Sequence, residues 1–309
     1  MDSLKRQFWR LKLRLRLREI SGDAFQDFFS TVMGKIHGSD YVRVRPFGAK
    51  GDKGCDGYLQ ATGSIFQCYG ALNGGKGKVD ALIEKMEEDF LKASKHLGTI
   101  MKSWAMVHNF VDGLPTDAVL ALNRLAAKHP SVTLSFHAPE LLEASILSLP
   151  EPDIEDLLGP APGIDDLTDI DMKDVRMVIG HVVASTAHPT SGVTPPIKPV
   201  PQDKLEFNRI PEYWKILIST GVVNAPVIET YLSMHSDPEL GERVAHIFRE
   251  RYAYLKAQAL SPGQIMDNLY ELVTGIGSVS PSVQVAAQAL IAFLFESCDI
   301  FEDAPQGVS

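Results

Sequence analysis

The sequence predicts a chain in two parts: an α/β first half with a mixed sheet flanked by helices, followed by an all-α second half. Three observations predict this division. Up to about residue 148, short β-rich stretches alternate with amphipathic helical segments, and strand–helix–strand units of this length form parallel crossovers. Residues 188–204 are rich in Pro, which favours extended, solvated backbone. From Phe207 onward the apolar spacing is helical, with capping residues placed before Pro.

Length and charge limit what the chain can be. Its 309 residues are 45% hydrophobic, enough for a buried core and about two domains. We predict an α/β domain at 1–160 with a basic N-terminal arm, an acidic and Pro-rich linker region at 161–203, and a helical partner-docking domain at 204–309. The formal charge is −9, so any contact with DNA depends on a local basic patch.

Cysteine usage and hydropathy predict a soluble cytoplasmic protein without membrane contact. Cys55, Cys68 and Cys298 form no CxxC pair and leave one residue over, which fits a reducing compartment better than a disulfide framework. No apolar run reaches the roughly 20 residues that span a bilayer. The N-terminus alternates Leu with Lys and Arg, so it lacks the apolar core of a signal peptide.

The basic N-terminal segment, residues 4–18, has two structural interpretations. Its Leu-Lys-Leu-Arg alternation has period two, which predicts a strand, whereas Leu and Arg are good helix formers. It is either a solvated basic face or an arm that contacts phosphates.

The remaining elements of the first half follow from periodicity. The predicted helices are 22–34, 79–101 and 116–129, with a further helix at PELLEASILSL. The predicted strands are YVRVRPFG, YLQ, SIFQCY, 103–110 and 131–138.

Residues 51–70, GDKGCDGYLQATGSIFQCYG, are the stretch most suggestive of chemistry. The Gly-rich turn carries Asp52 and Asp56, and the second strand ends in Gln67-Cys68-Tyr69. A purely structural alternative is a glycine-rich hairpin whose Asp side chains accept from turn amides. Zinc binding is not expected, because the cysteine spacing matches no zinc pattern.

The order of these residues resembles the Mrr-type branch of the PD-(D/E)XK nuclease superfamily. In that branch a helix carries Phe followed by a polar or acidic residue, and then come a Gly-Asp-x-Gly-x-Asp turn and a strand ending in Gln-Cys-Lys. This chain supplies Phe25-Gln26, GDKGCDG and FQCY, followed by helix, strand, helix and strand through LSFHAPELLEASI. The resemblance covers about residues 19–148 and implies a restriction-endonuclease-like fold that cleaves DNA with a metal ion.

The resemblance implies a catalytic centre of Asp56, Gln67 and Tyr69, with Gln26 where the first helix often has Glu. A Mg²⁺ or Mn²⁺ cofactor prefers oxygen ligands. We therefore expect it on the Asp56 carboxylate, the side-chain oxygen of Gln67 and the backbone carbonyl of Cys68. Tyr69 stands where the family has a Lys that stabilises charge on the attacking water and the phosphorane. A tyrosine hydroxyl donates a hydrogen bond but brings no positive charge.

The basic loop NGGKGK, residues 73–78, offers a replacement for the missing lysine. Lys76 or Lys78 would act from another backbone position, and alanine at both is then expected to abolish cleavage. The predicted contacts to the DNA backbone, which carry no sequence readout, are Arg14, Arg16, Arg18, Lys53, Lys76 and Lys78.

The second half is similar to the C-terminal domain of effector subunits in ABC-three-component anti-phage systems of the Lamassu-like group. The residues that carry this resemblance are KLEFNRI, the segment ERYAYLKAQALSPGQIMDNLYELV, and an apolar helix that leads into Cys298-Asp299-Ile300-Phe301-Glu302. The resemblance implies docking onto an ABC/SMC-like ATPase and a middle component. The apolar helix SVQVAAQALIAFLFESC must be buried against other helices or against a partner chain.

These features predict an anti-phage effector with a metal-dependent DNA endonuclease domain, silent until the complex releases it toward DNA or a second copy of itself. The alternative is a catalytically inactive nuclease-fold subunit that binds DNA or acts as a scaffold. A free-standing restriction enzyme is a third possibility. No P-loop occurs, because GGKGK lacks the GxxxxGK[ST] spacing, so the chain is not itself expected to be an ATPase.

Overall fold

The structure is a computed structural model that describes residues 2–45, 52–72, 79–168, 170–185, 202–275, 279–297 and 300–302. The chain forms two compact units, here called the α/β unit (12–158) and the helical unit (1–11 with 159–309). The predicted boundary at residue 160 lies next to the observed one at Gly159, whereas residues 1–11 belong with the helical unit.

The α/β unit has five strands and, with the shared first helix, six helices among its described residues. The helices are α1 (Ser3–Glu19, in this unit from Lys12), α2 (Gly22–His37), α3 (Val79–Leu97), α4 (Thr116–Lys128), α5 (Pro139–Ile146) and α6 (Glu151–Leu158). The strands are β1 (Tyr41–Arg43), β2 (Gly57–Leu59), β3 (Ser64–Tyr69), β4 (Ser103–His108) and β5 (Thr133–His137). The basic segment 4–18 is therefore a helix, and the strand interpretation of its period-two alternation is wrong.

The sheet is mixed, with strand order β1-β2-β3-β4-β5. β1 and β3 each pair antiparallel with β2, and Gly57 of β2 lies opposite Phe66 of β3. β4 pairs parallel with β3 and with β5, so α4 forms the predicted crossover and α3 forms a second one. The predicted α/β class with a mixed sheet is confirmed, and β3 is the strand at which the pairing changes from antiparallel to parallel.

Both faces of β3 are covered by apolar side chains. On one face Phe66 lies beside Phe29 of α2, with ring centroids 5.5 Å apart. On the other face Ile65 belongs to a buried cluster with Trp104 of β4 and Phe90 of α3. Because successive side chains of a strand point to opposite faces, Gln67 lies on the same face as Ile65, toward α3.

Asn109, directly after β4, is fully buried and ties three chain segments together. Its Nδ2 donates to the carbonyls of Leu17, Ile20 and Ala71 at 2.8 to 3.0 Å, and its Oδ1 accepts from the Ala71 N–H at 2.8 Å. The amide therefore fastens the end of α1 to the chain that follows β3. This strand-end polar residue has a structural role.

Asn109→Ala is expected to destabilise the protein by about 2 kcal/mol, because it leaves buried backbone groups without partners. Urea denaturation of the variant and the wild type measures this difference. Asn123→Ala on the exposed face of α4 is the control, with an expected change within about 0.5 kcal/mol. Equal effects of the two substitutions would contradict the anchoring role of Asn109.

The described part of the helical unit contains the start of α1 and seven further helices. They are α7 (Met172–Ala184), α8 (Gln202–Phe207), α9 (Glu212–Gly221), α10 (Ala225–Met234), α11 (Leu240–Ala257), α12 (Pro262–Thr274) and α13 (Pro281–Glu296). Ser261 and Ser280 cap α12 and α13 before Pro, as predicted. α11 begins at Leu240, beyond the predicted start at Asp237-Pro238. α7 lies inside the predicted linker region, and its four buried residues are Val175, Val178, Ile179 and Val182.

Helix α13 is the centre of the helical unit. Every residue from Val283 to Glu296 is buried, and the helix contacts α7, α9, α10 and α12. α9 approaches it closely at Gly221, where an added Cβ would lie 2.8 Å from the carbonyl oxygen of Gln288. The Gln288 amide donates to the Leu217 carbonyl of α9 at 2.6 Å. The apolar C-terminal helix is thus buried against helices of its own chain.

One helical stretch of the described residues, Glu212–Met234, is long and apolar enough to span a membrane by length and composition alone. It comprises α9, a short 3-10 turn and α10. Trp214, Leu217, Ile218 and Ile228 of this stretch are buried within the protein. Length and composition are the only features of this stretch that suggest a membrane span.

Candidate active site at the start of β2

The turn before β2 is shaped by glycine and by α3. The Oδ1 atom of Asp52 accepts from the Gly54 N–H at 2.8 Å, and Lys53 and Gly54 both have positive φ, 59° and 75°. A Cβ on Gly54 would lie 2.0 Å from the carbonyl oxygen of Asp89 in α3. The Trp104 indole of β4 donates to the Gly54 carbonyl at 3.2 Å. Only glycine allows the turn to lie this close to the helix, and the turn delivers Asp56 to the edge of β3.

Asp56 is held from both its backbone and its side chain. Its N–H donates to the Phe66 carbonyl at 2.8 Å, and its carbonyl accepts from the Val44 N–H at 2.9 Å. Its carboxylate accepts from the Gln26 side-chain amide at 2.7 Å through Oδ1 and from the Cys68 N–H at 2.8 Å through Oδ2. The side chain is only 4% exposed. The predicted neighbours Gln26, Asp56 and Cys68 therefore meet at one point.

The environment makes ionisation of Asp56 costly. Burial raises the pKa of Asp56 from 3.8 to about 6, and the negative charges of Asp52 and Asp89 act in the same direction. The Cys68 N–H and the Lys85 ammonium oppose this rise in the pKa. A buried carboxylate with a raised pKa is typical of functional sites, although structural groups also show such shifts.

Gln67 follows Phe66 on β3 and is 1% exposed. Its Oε1 atom is buried and has no hydrogen-bond partner among the described residues. Gln284 and Gln288 of the helical unit have the same feature, so it does not single out a ligand. A free amide oxygen can nevertheless accept a hard cation, and the ligand role of Gln67 stays a prediction. The Cys68 thiol does not suit it, because burial raises its pKa far above the ordinary value and keeps it protonated. Its backbone carbonyl remains the predicted ligand.

Other metal-binding arrangements find less support. No group of three His, Cys, Asp or Glu residues among the described residues could hold a metal ion. His108 at the end of β4 is buried, and burial lowers its pKa to about 4. Its Nδ1 accepts from the Phe110 N–H at 3.2 Å, while its buried Nε2 has no hydrogen-bond partner among the described residues.

Tyr69 closes β3 on the same face as Gln67. Its ring stacks on Phe110, with centroids 6.1 Å apart and planes 21° apart. Burial raises the pKa of Tyr69, so the hydroxyl is a hydrogen-bond donor at neutral pH. This strand position therefore supplies no positive charge.

The predicted DNA contacts lie in different settings. Arg14 and Arg18 both pair with Asp112 at 3.5 Å, and Arg16 pairs with Glu19 at 3.1 Å. These arginines belong to a packed helix whose neighbouring leucines Leu13 and Leu17 are buried. Acidic partners reduce what α1 can offer to phosphates.

Of the three lysines predicted to contact DNA, one lies in the described part of the chain. Lys53 lines a cavity of about 290 Å³ with Asp52, Cys55, Tyr58 and apolar side chains. Lys76 and Lys78, in the basic loop, lie outside the described residues.

Lys85 of α3 is a residue near the site that sequence reasoning missed. Its charge acts on both Asp56 and Tyr69, lowering the pKa of each against the effect of burial. Its Nζ donates to the Asp89 carboxylate at 2.6 Å, four residues along the same helix. The i, i+4 spacing favours such a pair, and the close approach of Gly54 to the Asp89 backbone places the pair beside the turn that precedes Asp56.

Together these observations define a two-part chain with a buried acid–amide cluster in its α/β unit and a helical unit built around α13. Residues 173–302 match the model of C-terminal domain 10 of the ABC-three component (ABC-3C) systems. The match lies in the helical unit and places the protein in an ABC-3C system, which confirms that part of the resemblance. Neither curated proteins nor solved structures gave a match to the chain.

Proposed function

We propose that the protein is the effector subunit of a Lamassu-like anti-phage complex and that its α/β unit is a diverged Mrr-type PD-(D/E)XK endonuclease that cleaves DNA. The helical unit would dock it onto an ABC/SMC-like ATPase and a middle component, consistent with the ABC-3C domain in this part of the chain. The observation that carries the nuclease proposal is a buried carboxylate, Asp56, that accepts from the N–H of Cys68 directly after Gln67, whose buried Oε1 has no hydrogen-bond partner among the described residues.

The arrangement fits a divalent cation of the Mg²⁺ or Mn²⁺ type. Asp56, Gln67 and the carbonyl of Cys68 would hold it, and when bound it would polarise the phosphate and neutralise charge on it. Gln26 orients Asp56, because its amide occupies Oδ1 at 2.7 Å. The Cys68 N–H keeps the other carboxylate oxygen against β3. Tyr69 would donate a hydrogen bond to the substrate side of the site.

A catalytically inactive nuclease-fold subunit that binds DNA or acts as a scaffold is the second candidate. It is favoured by the fact that both Asp56 oxygens already accept N–H donors. The replacement of the family lysine by Tyr69 points the same way. In this alternative Asp56 stabilises the turn instead of a metal ion.

Nicking of supercoiled plasmid by the full chain, purified with its partner subunits, tests the proposal. We expect Mg²⁺- or Mn²⁺-dependent cleavage by the wild type and a loss of about 1000-fold or more in Asp56→Ala. Asp52→Asn, in the same turn, retains the oxygen that caps Gly54 and is expected to cleave normally. DNA binding that survives without cleavage in any metal ion would favour the inactive scaffold instead.

A further inference from the structure

The turn that carries Asp56 rests directly on the middle of α3. Backbone contact occurs between Gly54 and Asp89, where no side-chain carbon fits. The Asp89 carboxylate is 5% exposed, and it accepts from Lys85 at 2.6 Å and from Lys92 at 3.2 Å. α3 thus holds two ammonium groups through one buried acid beside the turn.

Lys85 and Lys92 differ in the side chains that lie near their ammonium groups. Lys85 precedes Asp89 by four residues, and its 2.6 Å bond to the Asp89 carboxylate places its ammonium group beside the turn whose Gly54 meets the Asp89 backbone. In agreement with that placement, the charge of Lys85 opposes the rise in pKa that burial causes at Asp56 and at Tyr69. Lys92 follows Asp89 and pairs with Glu88 at 2.9 Å as well. The Lys85 side chain is 38% exposed, so it also reaches solvent, from which DNA would approach.

We propose that Lys85 supplies the positive charge that Tyr69 cannot, and that its ammonium contacts the scissile phosphate from α3 instead of from β3. This assignment rests on the nuclease function proposed above. It differs from the sequence-based expectation that Lys76 or Lys78 fills the role. The Asp89 carboxylate fixes where the Lys85 ammonium lies before substrate binds.

The chemistry that needs this charge is hydrolysis of a phosphodiester. A water oxygen forms a bond to phosphorus, and the bond from phosphorus to one sugar oxygen breaks. The water loses a proton and the departing sugar oxygen gains one, which gives a phosphomonoester and an alcohol without any redox change. Negative charge grows on the non-bridging oxygens in the transition state, where removal of one preorganised donor typically costs about 10²–10³ in rate.

The experiment measures single-turnover plasmid nicking by the full complex with Mg²⁺ for Lys85→Met, Lys85→Arg and Lys92→Met. We expect the cleavage rate of Lys85→Met to be about 100-fold lower than that of the wild type. Lys85→Arg is expected to retain at least a tenth of the wild-type rate, because it keeps a cationic donor. Lys92→Met is expected to cleave at the wild-type rate. DNA affinity, measured by fluorescence anisotropy, is expected to change less than about threefold in all three, because one phosphate contact contributes little to total affinity.

Several outcomes would overturn the assignment. Cleavage by Lys85→Met at a rate within about threefold of wild type would show that the Lys85 charge is not used. If the double variant Lys76→Ala/Lys78→Ala then lost cleavage, the basic loop at residues 73–78 would be assigned the charge instead. Equal losses in Lys85→Met and Lys85→Arg would indicate a structural effect. A wild-type complex that never cleaves would end the nuclease proposal itself.

A rescue variant tests the same assignment. Adding Tyr69→Lys to Lys85→Met is expected to raise the cleavage rate at least about tenfold above that of Lys85→Met alone, because it returns a positive charge to β3.

Discussion

Asp56→Asn is expected to stabilise the folded protein by about 3 kcal/mol at pH 8 while it removes the carboxylate on which the proposed cleavage depends. The wild-type pKa of Asp56 lies at about 6 in the folded state and at 3.8 in its ordinary environment. Keeping the ionised form buried therefore costs folding free energy. Asparagine carries no charge, its Oδ1 can accept from the Cys68 N–H, and its amide can donate to Gln26 if that side-chain amide turns over.

The pH dependence has a definite sign. Because the folded pKa of Asp56 is the higher one, its contribution to stability is fully present below pH 4 and falls as the pH rises through about 6. The advantage of Asp56→Asn is accordingly expected to grow from about a fifth of its full value at pH 4, through about half at pH 5, to a plateau above pH 7. Urea denaturation of both proteins across this range measures it.

Asp52→Asn is the matched control for this experiment. It removes a charge from the same turn but keeps the oxygen that accepts from the Gly54 N–H. We expect a change within about 0.5 kcal/mol. A pH-independent difference between Asp56→Asn and wild type would contradict the prediction, since it would mean that the folded chain ionises Asp56 at no cost.

Much of the α/β unit could be predicted because its elements have clear periods. Helices α2, α3 and α4 begin at the predicted residues, and β3 matches the predicted strand SIFQCY. Helix α1 could not be predicted with the same clarity. Leu11, Leu13, Leu15 and Leu17 fall at every second position, and all of them are buried except Leu15, which is half-buried. An alternating apolar pattern predicts a strand because it puts the apolar side chains on one face. In a helix the same residues spread around the axis, and α1 accommodates them because side chains on several sides of it are buried.

The candidate site was predictable in its local part and not in its long-range part. The turn and the strand that carry Asp56 and Gln67 are close in sequence, so their pairing followed from hairpin geometry. Gln26 was placed by resemblance, and the structure gives it a hydrogen bond to Asp56. Lys85 lies on α3, and its place beside the turn depends on the close backbone contact between Gly54 and Asp89. No periodicity in the sequence encodes that contact.

Gly54→Ala is expected to destabilise the protein by about 4 kcal/mol and to abolish cleavage in whatever fraction folds. The residue has φ of 75°, which costs an L-residue about 1–2 kcal/mol. The new methyl group would also lie 2.0 Å from the Asp89 carbonyl oxygen and 2.8 Å from its carbonyl carbon. These are backbone atoms of α3, so relief requires the helix or the turn to move, at a further cost of about 1–3 kcal/mol.

Gly113→Ala is the control that separates the conformational cost of a positive φ from the steric cost of the contact with α3. Gly113 has φ of 91°, yet nothing lies within 4 Å of its added Cβ, so alanine there has only the conformational cost of about 1–2 kcal/mol. The difference between the two variants in urea denaturation isolates the contact between the turn and α3. If Gly54→Ala is no worse than Gly113→Ala and still cleaves DNA, the turn does not hold Asp56 and Lys85 in a fixed relation. In that case α3 could contribute no positioned charge to the site.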